Sequence, residues 1–402
     1  MPKKKIIFYL LSALGLYLLS AGLSYAGFAY FGGKKGEASI LVSPVSIEDG
    51  RPRINFEAPK TEICPLTGEK FTKEERAIWE KRRPLGVMIE NHLDSRPQSG
   101  LSKADIVYEA VAEGGITRFL AVYFCRASAE DFFVGPVRSS RTYFLDWISE
   151  YGDYPLYVHV GGANDFGNLG KTNSKAKALE QIESYGWRLY SDIDQTSLRA
   201  KETQYPEGGL TFWRDMERLK GVAMEHTMYS TPDRLWWIAQ SRGLTQTDEA
   251  GDRWDENFVP WPAKEETAQE GQVSKIEFAF WQSQSGYEVR WEYDKDKNQY
   301  LRFNNNQPHL DLNTNQQLSA KVVAIQFLKE TRTGDASKHL LYQTIGQGQA
   351  LVFQDGQVIK GNWRKKQREG RTSFTQENGQ EIAFNPGPIW LEILPTGQEV
   401  AY

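Results

Sequence analysis

The stretch from Arg83 to Arg141 decides the fold. It contains the segments RPLGVMIENH (83–92), SRPQSGLSKADIVYEA (95–110), AEGGITRFLAVYF (112–124) and GPVRSSR (135–141). Their apolar runs are bounded by proline, glycine or charge and predict strands at 85–89, 106–111 and 116–124, although the second run also fits a helix. Charged residues at strand ends and in glycine turns are how a rigid scaffold presents a polar site. The stretch therefore predicts both the central strands and the place of a site.

Strands and helices alternate beyond this stretch. Apolar residues recur at helical spacing after GPVRSSR and predict a helix that Ser139 or Ser140 caps. A strand is expected at 156–160, and Thr231 followed by Pro232 predicts the start of a further helix. This alternation indicates an α/β layered domain.

The pattern changes near residue 273. From Ile276 onward, apolar and polar residues alternate with a period of two, and Asp355-Gly356 and Asn378-Gly379 each separate strand-like runs. The preceding stretch is rich in acid and proline and marks a boundary. The sequence thus predicts five segments: a membrane anchor or signal segment (1–31), a linker (32–60), an α/β N-terminal domain (61–247), a linker (248–272) and a β-rich, mainly antiparallel C-terminal domain (273–402).

The first residues predict export. Three lysines at 3–5 precede an uncharged run at 6–31, which is long enough as a helix to cross a bilayer with the rest of the chain outside the cytoplasm. Ser24-Tyr25-Ala26 also fits a signal-peptide cleavage site. We favour a single-pass anchor in the cytoplasmic membrane, with secretion after cleavage as the alternative.

Composition excludes several classes of partner and cofactor. A net charge of -4 and a sequence pI near 5.9 argue against nucleic acid. The chain has no CxxC pair, HExxH helix, Walker loop or GxGxxG turn after a strand, so we predict no metal and no cofactor. Cys64 and Cys125 fit either a disulfide bond or two unpaired thiols.

Several strings resemble those of the YerB-like family of bacterial envelope proteins, which carries a domain of unknown function and often a lipid anchor. The four segments of 83–141 carry the resemblance, together with CPLTG at 64–68 and WLEILP at 390–395. The segment 212–229 matches the family more loosely, because Glu225-His226-Thr227 stands where histidine followed by asparagine is expected. Gly22 stands where a lipobox would place cysteine. The resemblance implies an envelope protein and no defined reaction.

The GPVRSSR loop is the candidate anion site. Guanidinium groups, hydroxyls and backbone N–H groups together suit a phosphate, carboxylate or sulfate. The predicted ligand-binding residues are Arg118, Arg138, Ser139, Ser140 and Arg141, with Glu109 and Glu113 as partners and with His92 and His226 at the same side of the sheet. If the carboxylates neutralise all three arginines, this hypothesis loses its force.

Catalysis at the same place is the competing hypothesis. His159, in the predicted strand at 156–160, is the candidate proton shuttle, with Glu90 or Asp105 to orient it. His309 and His339 lie in polar, turn-like sequence and are predicted to be surface residues.

Three functions follow from these residues. The favoured one is a membrane-anchored envelope protein that binds a cell-wall glycopolymer, a lipid-linked phosphate or a peptide carboxylate. The second is an envelope phosphoryl or glycosyl transferase or hydrolase that uses the same pocket. The third is a structural adaptor in which the polar cluster only braces the fold.

Overall fold

The computed structural model describes residues 54–267 and 271–402. The predicted anchor at 1–31 and most of the predicted linker at 32–60 lie outside the described residues. Within the described ranges, no helix is both long and apolar enough to cross a membrane.

Helices are few and short in this part of the chain, and most residues of regular structure lie in strands. The helices are α1 (Lys73–Trp79), α2 (Thr142–Ile148), α3 (Ala178–Ser184) and α4 (Pro232–Ser241). The strands are β1 (Glu62–Ile63), β2 (Lys70–Phe71), β3 (Leu85–Glu90), β4 (Ile106–Glu113), β5 (Ile116–Tyr123), β6 (Leu156–His159), β7 (Asp192–Asp194), β8 (Trp213–Arg214), β9 (Met228–Tyr229), β10 (Lys275–Ala279), β11 (Glu288–Asp294), β12 (Gln299–Asn304), β13 (Gln307–Pro308), β14 (Ser319–Ala320), β15 (Val322–Leu328), β16 (Glu330–Arg332), β17 (Leu340–Tyr342), β18 (Gly346–Gln354), β19 (Gln357–Lys365), β20 (Ser373–Gln376) and β21 (Ile389–Pro395). Short 3₁₀ turns include Leu93–Ser95 and Met224–His226.

A ten-stranded sheet runs through the centre, in the order β20-β19-β18-β15-β21-β4-β5-β3-β6-β7. Strand β21 lies parallel to β15 on one side and to β4 on the other. Strands from the two sides of the predicted linker at 248–272 therefore form one continuous sheet. The three central strands β3, β4 and β5 are buried on both faces, which explains why their sequences read as apolar runs.

The predicted α/β character of the N-terminal region is confirmed. The run at 106–111, which also fitted a helix, is a strand because it pairs with β5 and β21 on its two sides. The cap predicted at Thr231 is confirmed as well: its side chain accepts a hydrogen bond from the N–H of Arg234, and Pro232 lies in the first turn of α4.

The predicted cap of α2 is wrong. The N-cap residue is Arg141, and neither Ser139 nor Ser140 occupies that position. The backbone N–H of Arg138 donates to Met88 and that of Ser140 donates to Gly161, so this segment is held extended across the end of the sheet. Ser140 still belongs to this extended pairing, through Gly161 and Gly162, so the helix begins after Arg141.

The C-terminal region is largely antiparallel, as predicted. Strands β10, β11 and β12 form an antiparallel ladder, and β13 and β14 both pair with β12. Ile276, Phe278 and Phe280 are buried, which confirms the predicted face. The Asp355-Gly356 pair joins β18 to β19 as the expected hairpin turn.

Cys64 and Cys125 form a disulfide bond across 61 residues. The open alternative of two unpaired thiols is thereby excluded. Both residues are buried, with 1% of each exposed.

Candidate functional site

The polar residues of the candidate site lie at one end of the central strands. Glu90 ends β3 and stands opposite Arg118 of β5 in the antiparallel register. The GPVRSSR segment crosses this end of the sheet, because the N–H of Glu90 donates to Pro136 and the N–H of Val160 donates to Arg138. The sheet and the crossing segment together fix the positions of the three predicted arginines.

Glu113 holds two of these arginines. Its carboxylate accepts a hydrogen bond from Arg118 at 3.2 Å and pairs with Arg141 through Nε and Nη2. Arg118 also donates to the carbonyl oxygen of Ser139 at 2.9 Å. Burial lowers the pKa of both guanidinium groups, yet their ordinary value is so high that both stay charged. One carboxylate therefore serves two buried cations.

Glu90 holds the third arginine. Its Oε1 accepts from Nε of Arg138 at 2.9 Å, and its Oε2 lies 2.8 Å from Nδ1 of His226. The Arg138 side chain is 23% exposed, and its Nη2 lies 3.7 Å from the exposed carboxylate of Glu225. The ring of His226 stacks on that of His92, with centroids 4.7 Å apart. Of the three arginines, Arg138 is thus the one most open to solvent.

Glu109 does not join this group. Its Oε2 pairs with Arg302 at 2.6 Å, and Arg302 also pairs with Glu392 at 2.5 Å. All three residues are fully buried. Burial raises the pKa of Glu392, the Arg302 guanidinium opposes this shift, and the neighbouring Glu109 carboxylate adds to it. The network joins strands from the two predicted domains and braces the sheet.

The candidate proton shuttle is sealed in the core. His159 is 0% exposed, and its Nε2 lies 2.6 Å from Asp192 while its Nδ1 lies 2.8 Å from the carbonyl oxygen of Gly161. Burial alone would lower the pKa of His159, but the Asp192 carboxylate raises it above its usual value. Ser140 is also fully buried and accepts a hydrogen bond from the Tyr157 hydroxyl. Both residues support the loop from beneath.

Asp105 lies at the opposite end of the sheet from Glu90. It precedes β4, and its carboxylate accepts from the backbone N–H of Phe124 at 2.6 Å and of Arg126 at 3.3 Å. Burial raises the pKa of Asp105 to about 7. The structure therefore does not bring Asp105 together with His159 or Glu90.

The prediction that His309 and His339 are surface residues is wrong. They are 3% and 4% exposed. His309 lies between the Arg302 guanidinium and Gln98, and burial lowers its pKa well below the usual value. His339 lies 2.8 Å from Asp335. Burial works against ionisation of Asp335, but hydrogen bonds, led by the N–H of Asn173, lower its pKa to about 2.

Sequence analysis did not identify the carboxylates that pair with Arg302, His159 and His339. Glu392 carried a usable signal, because it is the one charge inside the apolar run WLEILP, and a charge in a buried strand needs a partner. Asp192 and Asp335 carried no comparable signal, since each meets its histidine through a turn or a neighbouring strand.

Comparison with known proteins shows the family. Residues 66–245 match the model described as "Protein of unknown function (DUF3048) N-terminal domain", and residues 276–391 match the C-terminal domain of the same family. The chain belongs to this family. A curated relative is YerB of Bacillus subtilis (strain 168), described as a predicted lipoprotein, with 30% identity over 342 residues that span 83% of this chain and 86% of that protein.

The fold is similar to a solved structure as well. The crystal structure of the YerB protein from Bacillus subtilis superposes with a TM-score of 0.65 at 27% identity, covering 85% of this chain and 100% of that one. The resemblance that the segments of 83–141 indicated is therefore confirmed.

Proposed function

We propose that this chain is an extracytoplasmic protein attached to the bacterial cytoplasmic membrane, and that it binds an anionic ligand of the envelope at Arg138 without turning it over. The lysines at 3–5 and the apolar run at 6–31 support membrane attachment. The description of YerB of Bacillus subtilis as a predicted lipoprotein also favours an address at the membrane.

The unequal number of buried charges carries the binding proposal. Arg118 and Arg141 share Glu113, so the direct ion pairs leave one positive charge in excess. Glu225 is a further carboxylate that contacts these arginines, through Arg138, but its side chain is 61% exposed and lies 3.7 Å from Arg138. An exposed pair of this kind contributes about 1 kcal/mol or less. A phosphate or carboxylate of the ligand can therefore replace Glu225 at low cost.

The geometry of Arg138 suits recognition of such a group. Nε is held by the buried carboxylate of Glu90, which fixes the plane of the guanidinium. The neighbouring Ser139 is partly exposed and offers a hydroxyl. A fixed guanidinium needs less ordering when a ligand binds, which favours affinity.

Binding is favoured over catalysis because the candidate proton shuttle is inaccessible. Both ring nitrogens of His159 are hydrogen-bonded, and the residue is fully buried. A general base must reach the proton that it removes.

The test is ligand binding by an Arg138→Ala variant. Full-length protein in detergent micelles is titrated calorimetrically with a glycerol-phosphate polymer in the presence of a chelator, and separately mixed with vesicles of anionic phospholipid. We expect Arg138→Ala to lose affinity at least about tenfold, because it removes a charge-assisted contact. Arg138→Ala also removes one of the two side chains that hold the buried Glu90 carboxylate, so its melting temperature is expected to fall, and circular dichroism verifies that the variant is folded at the temperature of the titration.

Arg253→Ala is the matched control. Arg253 is 51% exposed and pairs with Asp255. Both residues lie far from Arg138 in the sequence, so Arg253→Ala removes a surface guanidinium without changing the proposed site. Equal loss in both variants would indicate unspecific attraction, and the absence of saturable binding in the wild type would overturn the proposal. Binding to vesicles but not to the polymer would assign the anion to a lipid headgroup.

A further inference from the structure

Three potential metal ligands meet beside the arginine cluster. His92 immediately precedes the 3₁₀ turn Leu93–Ser95 that follows β3, and Asp94 lies within this turn. His226 is the last residue of the 3₁₀ turn Met224–His226. One ligand atom from each lies within 4.8 Å of the others. We propose that His92, Asp94 and His226 form a binding site for a divalent transition-metal ion such as Zn²⁺, independent of the anion proposed above.

Glu90 prepares His226 for this role. Its Oε2 lies 2.8 Å from Nδ1 of His226, so Nδ1 carries the proton and the lone pair of Nε2 is directed away from Glu90. Glu90 is itself 3% exposed and anchored by Arg138, which keeps the imidazole from turning. A carboxylate behind a histidine is the usual support of a metal-bound imidazole, because it fixes the tautomer and increases the basicity of the ligand atom.

The set of donor atoms selects the class of ion. Two imidazole nitrogens and one carboxylate oxygen suit Zn²⁺ and its neighbours in the transition series better than Mg²⁺ or Ca²⁺, which prefer oxygen alone. Three protein ligands leave a fourth position open, as in zinc sites that bind water or a further ligand.

Small movements bring the ligands to bonding distance. Tetrahedral bonds of about 2.1 Å place ligand atoms about 3.4 Å apart, so the 4.8 Å span must contract. The rings of His92 and His226 are nearly parallel, with an interplanar angle of 11°, so one ring must also tilt. The side chains of His92 and Asp94 are 32% and 60% exposed and can move, whereas that of His226 is 6% exposed and stays in place.

The remaining histidines are committed to other contacts. The chain has five histidines. Both ring nitrogens of His159 and of His309 are hydrogen-bonded to protein groups. His339 is buried against Asp335, with Nε2 4.0 Å from Glu113. Histidine-dependent metal binding by this chain should therefore occur at one place, with a stoichiometry of one ion per chain.

The experiment measures metal binding with no anionic ligand present, so that it is separate from the test of the proposed function. Full-length protein in detergent micelles is stripped with a chelator, dialysed and titrated with ZnCl₂ by calorimetry. Binding of Co²⁺ is followed in parallel by its visible absorption, which reports nitrogen and oxygen ligands. We expect one saturable Zn²⁺ site and a Co²⁺ spectrum that Zn²⁺ abolishes.

Variants locate the site. His92→Ala and Asp94→Asn, which change partly exposed residues and so should fold, are each expected to weaken Zn²⁺ binding at least about tenfold, and Glu90→Gln about 10-fold to 100-fold. Asp296→Asn removes another exposed acid elsewhere and should leave binding unchanged. Circular dichroism verifies the fold of each variant. The proposal is overturned if the wild type has no saturable site, or if His92→Ala and Asp94→Asn bind Zn²⁺ as Asp296→Asn does.

Discussion

Two clusters of ionisable side chains in the described part of the chain share a partner unequally. Glu113 serves two arginines, whereas Arg302 serves two glutamates. Two carboxylates can share one guanidinium in the core because burial raises the pKa of one of them, which favours its neutral form. Glu392 is such a carboxylate. Arg138, whose side chain is 23% exposed, lies beside the cluster of Glu113 with Arg118 and Arg141, and for this reason we propose it as the residue that binds an anion.

The buried carboxyl group of Asp105 should make the stability of the protein depend on pH. Burial raises its folded-state pKa to about 7, whereas the unfolded value is about 3.9. Between these values the folded state binds the additional proton, so the contribution of Asp105 to stability is largest at low pH and falls as the pH rises toward 7. From pH 5 to pH 7 this loss amounts to about 2 kcal/mol in the free energy of unfolding.

The measurement is urea unfolding of wild type and Asp105→Asn at pH 5 and pH 7. Other buried carboxylates titrate equally in both proteins, so the difference between them isolates Asp105. We expect the wild type to lose more stability than the variant over this interval. The exposed replacement Asp296→Asn should show the wild-type slope, and a parallel course of the Asp105→Asn and wild-type curves would contradict the raised pKa.

At the scale of elements, two glycine turns differ in how closely other atoms approach the glycine. Gly356 and Gly379 both adopt positive φ, at 68° and 85°. A Cβ on Gly356 would lie 2.6 Å from both the Cα of Gly271 and a ring carbon of Tyr293, whereas a Cβ on Gly379 would meet nothing within 4 Å. Backbone strain is common to both positions, but a steric clash occurs only at the first.

We therefore expect Gly379→Ala to cost about 1 kcal/mol in the free energy of unfolding and Gly356→Ala to cost at least about 2 kcal/mol more. Chemical denaturation of the two variants measures the difference. Because Gly379→Ala serves as the matched control for strain, equal losses would show that the contacts around Gly356 relax freely.

Much of the element pattern could be predicted from sequence, because periodicity and turn residues act locally. The runs at 85–89 and 116–124, the cap at Thr231 and the Asp355-Gly356 hairpin all depend on neighbours within a few positions. The insertion of β21 between β4 and β15 does not, since both contacts join distant parts of the chain. For the same reason, His92 and His226 could be grouped with the GPVRSSR segment from sequence, but no local pattern indicated that Glu90 would hold both Arg138 and His226.

At the scale of the whole molecule, the two family segments at 66–245 and 276–391 share the central sheet. Strand β4 forms backbone pairs with β21 from Ile389 to Glu392, and Arg302 neutralises Glu109. An N-terminal fragment that lacks the C-terminal segment loses both. The edge of β4 would then expose unpaired N–H and C=O groups, and Glu109 would remain buried without its cation.

The expected outcome is that residues 54–272 expressed alone do not form a stable native fold. Loss of one partner from a buried ion pair costs about 3–5 kcal/mol, and exposure of the apolar faces next to β4 adds to this, which together approach the total stability of an ordinary domain. Amide dispersion in NMR spectra and thermal unfolding of the fragment measure this. Coexpression with residues 273–402 should restore a single cooperative transition, because the missing strand and Arg302 are supplied in trans. A fragment that unfolds cooperatively on its own, with native amide dispersion, would show instead that β4 is stable as an edge strand and that the two segments fold independently.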